Sequence, residues 1–268
     1  MPDSSSCNSQ TATTATSSSS SSNITSTTAT NRQNSEVKPL LRFGIIGWTE
    51  PTLVQCRKFY PPSCKNGVTR LRHYASKFPC VEIDTSHYAI PTPRMIKEWL
   101  NVTKDFKGFK FHLKIFGMLT LMRVQFGTLP YQVRQLLQAT REYDSRATVK
   151  WDDLNNEAKN TLWQVLNERL KPISDAGRLG CIVLQFMQNF GPTDANRRWV
   201  ETCRTKLDPN FTMAVEFRNR DWYEGGRDES TGGHVSSTTK WLRSLGIVQV
   251  IVDELEHELH RTAPPKKA

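Results

Sequence analysis

Two positions in the run Met213-Ala-Val-Glu-Phe-Arg218 could do chemistry together. A strand turns successive side chains to opposite faces, so Glu216 and Arg218 share one face with Ala214, against Met213, Val215 and Phe217 on the other. A carboxylate can take or give a proton, and a guanidinium can hold a carboxylate or phosphate through its planar fork. The same split recurs in four other runs. Glu82 and Asp84 oppose Val81 and Ile83. Lys110, His112 and Lys114 oppose Phe109, Phe111, Leu113 and Ile115. Cys181, Val183 and Gln185 oppose Ile182, Leu184 and Phe186, and Gln249, Ile251 and Asp253 oppose Val248, Val250 and Val252. The polar residues gather toward the C-terminal end of each run.

Lys114, Glu216 and Glu82 are the catalytic candidates of this set. Burial shifts a lysine pKa toward the range useful for proton transfer, and a glutamate beside it completes an acid/base pair. Arg218, Asp84, Gln185 and Asp253 are the substrate-binding candidates. His112 shares the same phase and reads as an interior histidine satisfied by a neighbour. The competing reading is an internal ion-pair network, Lys114 with Glu216 and Arg218 with Asp84, because charges are rarely buried unpaired.

The elements that must position these residues alternate along the chain. Strands are expected over Phe43–Trp48, Val81–Asp84, Phe109–Ile115, Leu179–Phe186, Met213–Arg218 and Ile247–Asp253. Helical patterns fall between them: Val68 to Phe78, Pro93 to Leu100 capped by Thr92, a long stretch through Leu170 capped by Asp152 or Asp153, Ala195 to Lys206, and Thr238 to Leu245. This order places the chain in the α/β class with parallel strands. One polar phase per strand favours a (β/α) barrel, whose interior takes that phase, over an open sheet with apolar runs in both phases. Residues 116–150 have weak periodicity and are read as either a lid over the third strand or a loose loop.

Composition bounds the rest. Of 268 residues, 37% are hydrophobic and the formal net charge is +10. Residues 1–40 are Ser/Thr-rich and cannot bury enough apolar surface to order, so a disordered tail is expected there. A barrel domain is expected over residues 41–254 and a polar tail over 255–268. The six cysteines form no C-x-x-C pair, and with no secretory segment they suit a reducing compartment, the cytoplasm, with an organelle as the alternative through the Ser-rich start. No apolar stretch is long enough to span a membrane. His257 and His260 stand three apart, not four as in the H-E-x-x-H zinc helix, and no motif for a metal or another cofactor is found. Gly225-Gly226 and Gly232-Gly233 read as a flexible loop rather than a phosphate cradle. Trp222 and Tyr223 could stack on a ligand or pack over the rim.

At these residues the sequence resembles the YecE-like family, also called domain of unknown function 72. Ile46-Gly47-Trp48 and Phe59-Tyr60-Pro61 resemble its opening motifs. Tyr74-Ala75-Ser76-Lys77-Phe78, Val81-Glu82-Ile83-Asp84 and Thr85-Ser86-His87-Tyr88 resemble its next segment, and Phe111 to Lys114 and Leu184-Gln185-Phe186 stand where the family has F-x-x-K and L-Q-F. Ala214-Val215-Glu216-Phe217-Arg218 with Asp221-Trp222 is the most specific match. The matched motifs add Trp48 and Tyr88 to the substrate-binding candidates. The resemblance runs from about Arg42 to Asp253 and implies a TIM-barrel-like fold with no established activity. Nothing like the family's last two strands follows Asp253, so a barrel apparently lacking them is expected, although eight strands close this architecture.

Three functions fit. The first is an enzyme applying acid/base chemistry to a small anionic or sugar-like molecule in the polar pocket. The second is a nucleic-acid phosphodiesterase or binder, suited to the basic balance. The third is a non-catalytic scaffold.

Overall fold

In the computed structural model of the chain, the described residues are 41–139, 142–223 and 237–253. The Ser/Thr-rich tail, the Gly225–Gly233 stretch and His257 and His260 lie outside them. The period-2 runs become strands of a parallel five-stranded sheet: β1 Cys80–Ile83, β2 Lys110–Lys114, β5 Leu179–Phe186, β6 Met213–Phe217 and β7 Val248–Gln249, paired in the order β1-β2-β5-β6-β7. Consecutive strands in the sheet follow chain order, with no reversal along it. A second, two-stranded antiparallel sheet joins β3 Val124–Gln125 to β4 Thr148–Val149.

Register fixes which face each side chain takes, because paired residues point the same way. Glu82 pairs His112, Lys114 pairs Val183, Val183 pairs Ala214 and Gln185 pairs Glu216. The polar phase of these four strands is therefore one continuous face. A bulge sits in β5, where Gly180 and Cys181 together oppose His112. A Cβ on Gly180 would lie 2.5 Å from the His112 ring, so Gly180→Ala should displace that ring and cost about 1–3 kcal/mol by overpacking. Chemical denaturation would check it; an unchanged midpoint would mean the bulge relaxes freely.

Two strand expectations fail. Residues 43–48 contribute one bridge, Ile46 to Glu82, rather than a buried strand, and Phe43 is 72% exposed. Gly47 at φ +71° takes the chain out of extended geometry one residue later. The last strand shortens to Val248–Gln249, and its phase is the reverse of the expected one. Val248 pairs Ala214 of the polar face, while Gln249 pairs the core residue Val215 and accepts a hydrogen bond at 2.5 Å from Thr239 Oγ1 on the covering helix. Buried Ile247 sets this register: it enters the core beneath that helix, and alternation sends Gln249 the same way.

Among the described residues seven helices accompany the sheets: α1 Pro51–Gln55, α2 Gly67–Ala75, α3 Pro93–Val102, α4 Tyr131–Gln138, α5 Asn156–Asp175, α6 Asp194–Lys206 and α7 Ser237–Ser244. Thr92 caps α3 as expected, its Oγ1 accepting from Met95 N. The cap of α5 is Asn155, which accepts from Ala158 N, rather than Asp152 or Asp153. Those two aspartates lie in a short 3₁₀ turn before it. The core lies between sheet and helices, with Phe111, Leu113, Leu184, Phe186, Val215 and Phe217 meeting Leu71, Trp99, Leu162 and Val200. The stretch after β2 is neither loose nor a bare loop in its described residues: Leu119, Phe126, Leu129, Val133 and Leu137 enter the core, and α4 packs on α5.

Candidate functional site

At the C-terminal ends of β1, β2, β5 and β6 five side chains form one chain of contacts. Lys114 Nζ lies 3.6 Å from Glu82 Oε1 and 3.5 Å from Gln185 Oε1. Gln185 Nε2 donates to Glu216 Oε1 at 2.6 Å, and Arg218 Nε donates to the same oxygen at 2.6 Å. Of the catalytic candidates, Glu82, Lys114 and Glu216 are thus brought together, with Gln185 and Arg218 from the binding set. The expected pairs are exchanged, however. Lys114 salt-bridges Glu82 instead of Glu216, and Arg218 salt-bridges Glu216 instead of Asp84. Lys114 reaches back along the neighbouring strand to Glu82, which pairs with His112 two residues before it, while Glu216 and Arg218, two apart in sequence, project side by side.

The two glutamates sit in different surroundings. Glu216 is nearly buried and its carboxylate accepts two short hydrogen bonds. Burial pushes the Glu82 carboxyl above the usual glutamate range; Lys114 opposes that shift, and the nearby Glu216 and Asp84 charges add to it. A carboxyl raised in this way holds its proton closer to neutrality, as proton transfer requires. Raised folded-state pKa means that the folded chain binds the extra proton, so this contribution to stability is present below the unfolded value and is lost as pH rises through the folded one. Glu82→Gln should therefore gain in melting temperature relative to wild type more at pH 7 than at pH 4. Melting curves at the two values check this, and an equal gap at both would remove the burial argument.

Neighbouring groups brace the cluster. Ser86, in the turn after β1, donates to Ile83 O and lies 2.6 Å from Lys114 O, tying the ends of β1 and β2. His87 Nδ1 lies 3.1 Å from Ile115 O, which fixes its proton on Nδ1, and burial holds the ring below the usual histidine range. Tyr223 donates to Phe217 O, and burial beside Glu216 raises its phenol. Ser86 and His87 were missed as parts of the site, and Tyr223 was weighed only as a residue stacking on a ligand or packing over the rim. The only signal for Ser86 and His87 was position, directly after a strand end. His112 lies two residues before Lys114 and is satisfied as expected, its Nδ1 accepting from Cys181 N and lying 3.0 Å from Cys181 Sγ. Burial lowers that histidine and pushes the Cys181 thiol up to about 11, so both are neutral at pH 7.

The other candidates stand apart. Trp48 and Asp84 line a cavity of about 580 Å³ between the end of β1, α2 and α3, which none of Lys114, Gln185, Glu216 and Arg218 lines. Tyr88 is exposed, its ring against His87. Asp253 is exposed four residues beyond β7, and the reversed phase of that strand removes the reason for placing it in the mouth. Trp222 is fully buried, donating to Phe190 O and stacked on Phe217 at 4.0 Å. It packs and does not present a stacking face. No helix among the described residues is long and apolar enough to cross a membrane.

The family model described as Protein of unknown function DUF72 matches residues 42–267. The chain is 26% identical over 229 residues to the UPF0759 protein YecE of Escherichia coli O157:H7, covering 85% of this chain and 64% of that protein. It is 23% identical over 215 residues to the UPF0759 protein YunF of Bacillus subtilis, covering 80% and 61%. It spans about three fifths of the length of these curated relatives. A solved DUF72 family protein from Enterococcus faecalis V583 superposes with a TM-score of 0.53 at 20% identity, covering 80% of this chain and 61% of that one. That likeness speaks for the α/β fold alone.

Proposed function

The chain belongs to the DUF72 family, and on that premise we propose that it is an acid/base enzyme acting on a small polyhydroxylated or anionic molecule held at the C-terminal ends of its parallel strands. The observation that carries this reading is the unbroken contact chain Glu82–Lys114–Gln185–Glu216–Arg218. In it Glu82, with its raised carboxyl, exchanges the proton with substrate. Lys114 stabilises the charge that develops. Glu216 fixes Arg218 and Gln185, which present donors to hydroxyl or carboxylate oxygens. The two cations and two anions cancel, so the cluster favours a ligand recognised by hydrogen bonds over a polyphosphate strand read by charge. Parallel pairing in chain order from Ile46 to β7 supports a (β/α) barrel arrangement, with the cluster at the face where such barrels place their chemistry.

The test is a thermal-shift screen with polyols, aldoses, sugar phosphates and hydroxy acids on the full chain, repeated on Arg218→Met and Lys114→Met. A ligand that binds the folded state raises the melting temperature by mass action. One class should raise that of wild type and lose most of its effect on both variants. No shift from any class, or a shift that both variants keep, would sink the reading in favour of a scaffold. A shift given by single-stranded oligonucleotides instead would favour nucleic acid.

A further inference from the structure

We infer that the cavity beside Trp48 and Trp99 is a second binding site, which takes a small organic cation carrying a hydrogen-bond acceptor. The cavity measures about 580 Å³, ample for such a molecule. Its walls are apolar: Val68 of α2, Met95 and Trp99 of α3, and Trp48 from the segment before α1. The two indole rings stand nearly perpendicular, at 85° with centroids 5.7 Å apart. The pair is in edge-to-face contact and Phe111 stacks on one face of Trp99, so the aromatic surface offered to an alkylammonium group is mainly that of Trp48.

Charge points the same way. Asp84 and Glu98 line the cavity and make no side-chain hydrogen bond or ion pair among the described residues. Glu50 also lines it, but its carboxylate is engaged in capping α1, accepting from Leu53 N. No lysine or arginine lines it, although the chain carries a net charge of +10. Donors without partners complete the site. Trp99 is only 6% exposed, and neither its indole N–H nor that of Trp48 finds an acceptor among the described residues. Neither nitrogen is itself enclosed, so a ligand hydroxyl or carbonyl can reach it and accept from it. Two free carboxylates and two free indole donors thus ask for a cation and an acceptor in one molecule. None of the five side chains of the Glu82–Arg218 cluster lines this cavity.

Choline is a suitable probe, and 3,3-dimethylbutan-1-ol is its uncharged counterpart of the same shape. The experiment titrates each into the full chain and follows the indole N–H resonances, with those of Trp48 and Trp99 identified through Trp48→Phe and Trp99→Phe. Choline should shift both resonances to saturation, and the neutral alcohol should bind about tenfold more weakly, the factor expected for losing a charge over aromatic faces. Glu98→Gln, at an exposed position on α3, should weaken choline severalfold without changing the melting temperature. Glu82→Gln should leave the titration unchanged, which separates this site from the proposed catalytic one. Equal titration by the two probes, unmoved Trp48 and Trp99 resonances, or an unaltered affinity in Glu98→Gln would overturn the inference.

Discussion

Trp222→Ala is expected to destabilise the fold by about 3–5 kcal/mol, the range for removing a fully buried large aromatic side chain. The indole is stacked between Phe217 at 4.0 Å and Trp241 at 5.7 Å, with Phe190 at 6.0 Å and the Arg197 guanidinium 5.1 Å over its face. Truncation would open a void at the end of β6 and leave Phe190 O without the donor it now has at 2.6 Å. The carbonyl matters less than the void, so Trp222→Phe, which keeps most of the stack, should cost well under half as much. Urea unfolding of the three proteins gives the comparison. The consequence reaches the site, because Phe217 lies between Glu216 and Arg218 on the same strand, and loosening its packing lets their hydrogen bond wander. Trp222→Ala should therefore also blunt any ligand-induced thermal shift, while Trp222→Phe should retain it. Equal stability of Trp222→Ala and wild type would mean that the stack contributes little beyond contact.

How much of this was legible in the sequence depends on which pattern carried it. The four strands from β1 to β6 in the main sheet were readable because one phase is apolar and the other polar, which leaves a single way to bury them. In β7 the contrast of Val248, Val250 and Val252 with Gln249 and Asp253 is interrupted by Ile251 and misled the assignment, because buried Ile247 sets the phase and turns Gln249 to the core side. The first strand failed for a related reason: Phe43-Gly-Ile-Ile looks buried by composition, but its backbone meets β1 on one side only through Ile46, and composition says nothing about neighbours. In the stretch after β2, short irregular turns bury Met118, Leu119 and Phe126 without repeating at any period. The contents of the polar cluster were legible, since phase alone gathers Glu82, Lys114, Gln185, Glu216 and Arg218. Their partners were not, because pairing depends on strand stagger and on β5's bulge at Gly180. The Trp48–Trp99 cavity was invisible for the same reason: its two rings are 51 positions apart and meet only through the packing of α3.

The second large effect concerns Glu216. Its Oε1 is the acceptor on which both Gln185 and Arg218 close, and its side chain is 10% exposed against 30% for Arg218. Removing one partner of a buried pair leaves the other charge without compensation, which costs about 3–5 kcal/mol when both are fully enclosed. Water reaches the Arg218 guanidinium here, so Glu216→Leu should cost about 2 kcal/mol. Glu216→Gln keeps an acceptor without the charge and should cost less. The double variant Glu216→Leu/Arg218→Leu removes the cation together with the carboxylate it pairs with, so its cost should fall short of the sum of the two single costs, a non-additivity of the sign found for coupled neighbours. If the single and double costs instead add, Arg218 is held by other contacts and Glu216 is not its anchor. Ligand response discriminates further. A residue that only balances charge in the interior would leave the double variant able to bind whatever shifts the wild type, because the cluster's net charge is unchanged. A pair that positions the substrate would lose that response in the double variant even where the fold is recovered, and this second result is the one expected.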